Sequence, residues 1–230
     1  MATETELWYF ENIDLYNIFC PHKTKKDFDK HHFHSFKKGD YVYFPDETSS
    51  HVYLIANGRV KIGSYGADGK EVVKAILSKG EIFGEKSILG EPTRKDYAQA
   101  MDSDVSICPL TVADMQDLMT NNRDLSIKMT RLIGLKLLRA ERRIESMVNK
   151  DARTRVIEFL CDWAAEKGRK VGFETLVNGF FTHQDIASLT ATSRQTVTTT
   201  LNELRDRNLI TFDRKRLLIR DLDKLKGEVV

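Results

Sequence analysis

The chain has 230 residues, 41% of them apolar, with a formal net charge of +2 and three cysteines. That apolar content suffices for one to three small domains with real cores, and no run of about 18 apolar residues points to a membrane-spanning helix. Cys20, Cys108 and Cys161 are too scattered, and odd in number, for a disulfide framework, a metal site or an iron–sulfur cluster.

The first ten residues, MATETELWYF, hold no basic region followed by an apolar one, so no secretory signal is expected and cytoplasmic residence follows by default. Residues 7–19 are aromatic-rich, with Leu15, Ile18 and Phe19 on one helical side before Pro21. They predict a short lead-in helix packed on the next domain. His31, His32 and His34 form the one histidine cluster. A surface strand with Phe33 opposite His32 and His34 is the simpler reading, and no metal is assigned because no further ligand stands at a defined place.

From Phe33 to Leu110 the period becomes that of strands: Tyr41–Phe44, Val52–Ile55, Arg59–Ile62, Val72–Leu77 and Val105–Ile107. Gly39-Asp40, Asn57-Gly58, Asp68-Gly69 and Lys79-Gly80 punctuate them, and the Asn-Gly and Asp-Gly pairs signal hairpins. Short strands at regular spacing indicate an antiparallel sandwich or barrel. Within residues 80–100, Gly84 and Glu85 open a short helix, with Arg94 ten residues beyond the turn. Such a turn presents backbone N–H groups, the Arg is placed to close over an anion, and the Glu to accept from sugar hydroxyls. An ordinary turn with a surface Arg is the alternative.

Residues 121–148 form one long helical pattern. Ile133, Leu137, Ala140, Ile144 and Met147 recur at four, three, four, three, a heptad seam that predicts a coiled-coil dimer. A helix buried against its own domain is the alternative, and Leu125, Leu132, Leu135 and Leu138 lie mostly to one side of the seam, facing such a domain. Asp151 predicts the N-cap of a further helix ending at Gly168, which makes Lys150-Asp151 the expected hinge.

Residues 182–204, THQDIASLTATSRQTVTTTLNEL, hold two short helical patterns separated by small residues. Ile186 and Leu189 share one face, and Val197, Leu201 and Leu204 another. Thr182 before Asp185 and Thr192 before Gln195 resemble capping boxes. This is a helix-turn-helix pattern, whose second helix suits a DNA major groove. Its apolar positions leave Arg194, Gln195, Thr198 and Thr199 outward. Arg matches guanine O6 and N7, Gln matches adenine N6 and N7, and Thr takes a hydrogen bond or meets a thymine methyl. A merely solvated face is the alternative, and Gln195 has a second one in capping its own helix. Arg205, Arg207, Arg214, Lys215, Arg216 and Arg220 then crowd one segment, a placement that suits phosphate contacts. Leu209–Phe212, Asp213–Arg216 and Leu217–Ile219 read as a hairpin: a wing, basic at its tip.

Taken in order, these elements resemble the cAMP receptor protein and Fnr group of bacterial transcription regulators over essentially the whole chain. The parts that carry the resemblance are Phe83-Gly84-Glu85, Arg94 with Ala98-Gln99-Ala100, the long helix and Ser193-Arg194-Gln195-Thr196-Val197. It implies an α+β fold: an N-terminal cyclic-nucleotide-binding-type β-roll (a double-stranded β-helix, or jelly roll) over 1–120, a dimerisation helix over 121–150 and a winged helix-turn-helix over 151–230. By the same resemblance Glu85 accepts a ribose hydroxyl and Arg94 pairs a cyclic phosphate, with Gly84, Lys86, Ser87, Lys95 and Glu141 completing the effector set. Arg194, Gln195 and Thr199 fall where the family reads bases. Thr182, Ser193, Thr198, Arg214, Lys215 and Arg216 complete the DNA set.

Departures qualify the effector. Lys86 replaces Leu, Lys95 replaces Ser or Thr, Asp96 replaces Ala, and Ala140-Glu141 replaces a Thr-Ser pair of cAMP-binding members. Asp96 sets an anion beside the phosphate position, which repels phosphate unless Lys86 and Lys95 compensate. The Fnr-type cysteine cluster is missing, and no haem ligand is assigned from His51 or His22. Gln195 and Thr199 replace a charged Glu and Arg, so the operator should differ from the usual TGTGA half-site. Ala191 takes a turn position often held by Gly.

The resulting expectation is a homodimeric, sequence-specific DNA-binding regulator not controlled by cAMP, acting constitutively or through another small effector. Its expected partners are a palindromic DNA operator, a second copy and RNA polymerase, with no membrane, metal or certain cofactor. The alternatives are a cAMP-dependent member of the same group, or a small-molecule-binding protein whose C-terminal module contacts protein. No catalytic constellation is present in a recognisable context, so an enzyme is not expected.

Overall fold

The computed structural model describes residues 33–69 and 71–229. The predicted lead-in helix, His31, His32 and Cys20 lie outside them. The chain divides into two compact units after Leu137.

In the first unit, alternating apolar residues build two four-stranded antiparallel sheets. One runs β1 (His34–Phe36), β8 (Val105–Thr111), β3 (His51–Asn57), β6 (Ile82–Phe83); the other runs β2 (Tyr41–Tyr43), β7 (Tyr97–Ala100), β4 (Arg59–Tyr65), β5 (Glu71–Ser78). Tyr43, Ile55, Val60, Ile62, Leu77, Phe83 and Ile107 form one core drawn from both sheets. β3 is apolar on both faces: Val52 and Leu54 join a second core with Met115, Leu125, Met129 and Leu132. Those last four come from α1 (Val112–Asn121) and the first half of α2 (Arg123–Asn149). Double-sided burial explains why Val52–Ile55 reads as an unbroken apolar run.

Asp68-Gly69 closes the β4–β5 hairpin as predicted. Asn57-Gly58 does not make a hairpin. β3 and β4 belong to different sheets, and the pair turns a corner between them. Gly58 has φ 80° there, and a Cβ would sit 2.8 Å from the Asp104 carbonyl oxygen, so the glycine serves a close approach as well as the turn. β6 and β7 are strands that the sequence pattern did not single out.

In the second unit, Asp151 caps α3 (Ala152–Lys167) by accepting from the Thr154 N–H at 2.7 Å, as predicted. α3 packs Val156, Ile157, Leu160 and Trp163 into a core with Ile186, Val197, Leu201, Leu204, Ile210, Leu217 and Ile219. A four-stranded antiparallel sheet runs β11 (Ile210–Phe212), β12 (Arg216–Ile219), β10 (Glu174–Asn178), β9 (Arg169–Val171), and α4 (His183–Leu189), α5 (Arg194–Asp206) and α6 (Leu222–Lys226) complete the unit. The β9–β10 hairpin is an addition to the predicted wing. Among the described residues, no helix is long and apolar enough to cross a membrane.

On α3, Asp162 is exposed to solvent but crowded by its neighbours. Their partial desolvation of it, then the Glu158 charge, pushes its carboxyl up to about 6. Between about pH 4 and 6 the folded chain therefore keeps a proton that the unfolded chain has lost, and stability falls as pH rises through that window. Asp162→Asn is expected to flatten this slope and raise the melting temperature at pH 7. Thermal unfolding of both proteins from pH 4 to 7 checks it.

Candidate nucleic-acid interface and effector site

The helix-turn-helix is built by local signals. Thr182 caps α4 in a full capping box with Asp185, so its hydroxyl is engaged at 2.6 Å. Ser193, not Thr192, caps α5: it accepts from the Thr196 N–H at 3.0 Å. The Thr192–Gln195 box is thus corrected by one residue, and Gln195 does not cap the helix. Val197, Leu201 and Leu204 are fully buried. Arg194, Gln195 and Thr199 are exposed, and their side chains bond nothing among the described residues. Thr198 is half-buried; its hydroxyl donates to the Arg194 carbonyl at 2.9 Å and stands 2.9 Å from His183 Nδ1. With that proton used, the hydroxyl accepts from His183 Nδ1–H, which leaves Nε2 bare. Thr182, Ser193 and Thr198 therefore shape the interface through hydroxyls already engaged inside the unit.

The cations near α5 fall into two groups. Arg207 pairs with Glu228 and Glu203, Arg220 with Glu174 and Arg205 with Asp206. Arg153 holds Glu203 at 2.8 Å and Glu228 at 3.0 Å, tying the far end of α5 to α3 and the C-terminal tail. Arg205, Arg207 and Arg220 thus have internal partners, unlike the phosphate-contact reading of that cluster. At the wing tip, Asp213 Oδ1 accepts from the N–H groups of Lys215 at 2.6 Å and Arg216 at 2.8 Å. Those bonds hold its carboxyl below the usual range. Arg214, Lys215 and Arg216 are exposed, and none has a carboxylate partner among the described residues.

In the β-roll, Gly84 adopts φ 76° before the 3-10 helix Glu85–Leu89. Arg94 is only 4% exposed. Its guanidinium lies 4.5 Å from the Tyr43 ring centroid and donates to the His51 carbonyl at 2.5 Å and the Gly84 carbonyl at 3.2 Å. Ser87 donates to the same His51 oxygen at 3.0 Å. Glu85 pairs with Lys136 at 2.7 Å. Asp96 accepts from Lys86 at 3.0 Å, Lys74 at 3.4 Å and Tyr43 at 3.2 Å. Burial disfavours its charge, yet the two lysines hold the carboxyl below its ordinary value. Lys95 does not share this work: it is exposed and reaches Thr93. Glu141 is exposed on α2, in the other unit.

These residues fit a cyclic nucleotide poorly. The acceptor Glu85, the fork of Arg94 and the cation Lys86 all hold internal partners, and Asp96 adds a buried anion.

The cyclic nucleotide-binding domain family matches residues 33–122, and the Crp-like helix-turn-helix domain family matches residues 154–228. The chain is 25% identical over 186 residues to the global nitrogen regulator of Nostoc sp., spanning 80% of this chain and 83% of that one. It is 27% identical over 190 residues to the CRP-like cAMP-activated global transcriptional regulator of Mycobacterium tuberculosis, spanning 83% and 84%. A CooA mutant structure from Carboxydothermus hydrogenoformans superposes with a TM-score of 0.82 at 25% identity, covering 97% of this chain and 99% of that one. The chain belongs to the Crp/Fnr family. It is a transcription regulator with a DNA-binding helix-turn-helix, not an enzyme.

Two features of this Crp/Fnr regulator matter at its interface beyond the motif itself. His183 went unread in the sequence, although its place directly after the cap Thr182 marks it as first in α4. Burial, then the Arg194 charge, keeps its imidazole below the ordinary value. Ala191 adopts φ 50° in the turn, where an L-residue with a Cβ is strained. Ala191→Gly is expected to stabilise the second unit by about 1 kcal/mol, read as a higher melting temperature without DNA. An unchanged or lower value would count against strain at the turn.

Proposed function

We propose that the chain is a homodimeric, sequence-specific regulator that binds a palindromic operator without control by cAMP. One observation carries the DNA reading. Arg194, Gln195 and Thr199 on α5 and the three wing-tip cations lack internal partners, while their neighbours Arg205, Arg207 and Arg220 are ion-paired. Arg194 and Gln195 read bases, and Arg214, Lys215 and Arg216 meet phosphates. The seam Ile133, Leu137, Ala140, Ile144 and Met147 joins two copies, with residues 121–150 as the coupling helix between a sensor over 1–120 and the reader over 151–230. RNA polymerase is the further partner and the cytoplasm the compartment.

Independence from cAMP is supported by the ion pairs of the β-roll. A nucleotide must displace Lys136 from Glu85 and face Asp96, and breaking partly buried charged contacts costs about 1–3 kcal/mol each. Selection of duplexes from a random pool, with and without cAMP, tests both halves. The expected result is a two-fold symmetric site, bound with a steep salt dependence and unaltered by cAMP. Tight cAMP binding that switches operator affinity would favour the family's cAMP-dependent reading.

A further inference from the structure

α3 begins against the usual charge rule for helices. A helix N-terminus favours anions, yet beyond its cap the first turn of α3 holds no acid and carries Arg153 and Arg155. A break in a local rule marks a place where other interactions decide. Arg153 reaches Glu203, near the far end of α5. Arg155 is half-buried and directs its fork at backbone carbonyls: it donates to Lys150 at 2.6 Å, Thr190 at 2.8 Å and Ala191 at 3.0 Å. All four residues belong to the second unit.

Those carbonyls come from two helix ends. The Lys150 N–H still closes onto the Ser146 carbonyl at 3.1 Å. Lys150 therefore ends α2, and its carbonyl is one of those a helix leaves without an internal partner. Thr190 and Ala191 follow α4 and form the turn before α5, with Ala191 at φ 50°. Carbonyls at both places carry the negative end of a helix dipole, so the cation that the start of α3 disfavours is favoured twice by its neighbours. A guanidinium suits the position because its rigid planar fork holds several acceptors in a fixed relation. Arg143, on α2, adds a bond to the Ser188 carbonyl at 3.0 Å, but Arg155 grips both ends with one group. We propose, on the two-copy operator reading above, that Arg155 is a positioning residue: it fixes the start of α5 to the end of α2, and so sets the half-site spacing that the protein accepts. With each reading head fixed to its own α2, two joined copies meet DNA at one separation, and the helical repeat of DNA makes that separation selective.

Fluorescence anisotropy of the full-length protein tests this on a single half-site, on the selected operator, and on operators with base pairs added or removed between the half-sites. Wild type should favour one spacing. In Arg155→Gln the affinity ratio between the best and the altered spacings should fall by about tenfold, while the preferred bases of a single half-site stay the same. The bond from Arg143 remains in that variant, so the preference relaxes rather than disappears. Arg155→Lys keeps the charge but has no fixed fork. It should relax the spacing in the same way, and it serves if circular dichroism shows that Arg155→Gln does not fold. Ile157→Val, fully buried in the same helix, loses stability through a small cavity and should keep the wild-type spacing preference. Folded Arg155 variants that keep the wild-type preference overturn the proposal, even if they bind half-site and operator equally more weakly, since that outcome makes Arg155 a stability residue only. A wild type that binds duplexes with no spacing preference overturns the two-copy reading and the role of Arg155 with it; that result is read before any variant is made, so the two failures are distinct.

Discussion

Arg194→Ala is expected to weaken binding to the selected operator by about 1–3 kcal/mol, roughly tenfold to a hundredfold, and to relax the preference at one base pair of each half-site. Arg194 is the first residue of α5 and exposed, with no carboxylate partner among the described residues. Its five donors are therefore available for a guanine edge without breaking an internal contact. Two comparisons make the effect specific. Lys215→Ala, at the wing tip, should lower affinity nearly equally for all sequences and reduce the salt slope by about one phosphate. Arg207→Ala removes a partner of Glu228 and Glu203 and should change stability with little change in base preference. Fluorescence anisotropy on the operator and on single-base variants, across a salt series, separates the three. An Arg194→Ala protein that loses affinity uniformly across sequences would be a phosphate contact, and the base assignment would fall.

The reading head was legible because its signals are local. The Thr182–Asp185 box lies within four residues, and Val197, Leu201 and Leu204 repeat at helical spacing. The wing announced itself by apolar runs around a basic tip. What escaped depends on residues distant in sequence. Asn57-Gly58 carries the right turn chemistry, but sheet membership is decided by which core each strand faces. β9 has no buried side to create a pattern, since Arg169, Lys170 and Val171 are all exposed. The charge of Asp96 reads as repulsion until Lys74, twenty-two residues earlier, is seen beside it. Arg207 and Arg220 look free for phosphate because Glu228 and Glu174 are far along the chain. The α5 cap shifted from Thr192 to Ser193 because both residue types suit the position, and the strained turn at Ala191 fixes the register.

If two copies meet along the α2 seam, as proposed, Leu137→Glu should convert that dimer to monomer. Ile133, Leu137, Ile144 and Met147 are 48%, 60%, 61% and 42% exposed in the single chain, although each is a large apolar side chain. Their four–three spacing aligns them in one seam along α2, with the smaller Ala140 between. A stripe this long has little reason to face water, whereas burying it against its own copy removes every member from solvent twice. Two-fold symmetry also doubles the mutation. Losing about 1.5–3 kcal/mol of burial at each of two positions shifts the dimer equilibrium by about 3–6 kcal/mol, before any cost of placing two carboxylates together. Sedimentation equilibrium should register a rise of about a hundredfold or more in the dimer dissociation constant. Affinity for a two-half-site operator should fall with it, while affinity for a single half-site stays near its original value, because only the linkage between reading heads is lost. Ile127→Glu is the control: Ile127 is also exposed, at 43%, but it lies about 120° round the helix from Ile133 and should leave the dimer intact. If Leu137→Glu remains dimeric with its helix content preserved, the two copies meet through some other surface and the seam is not their interface.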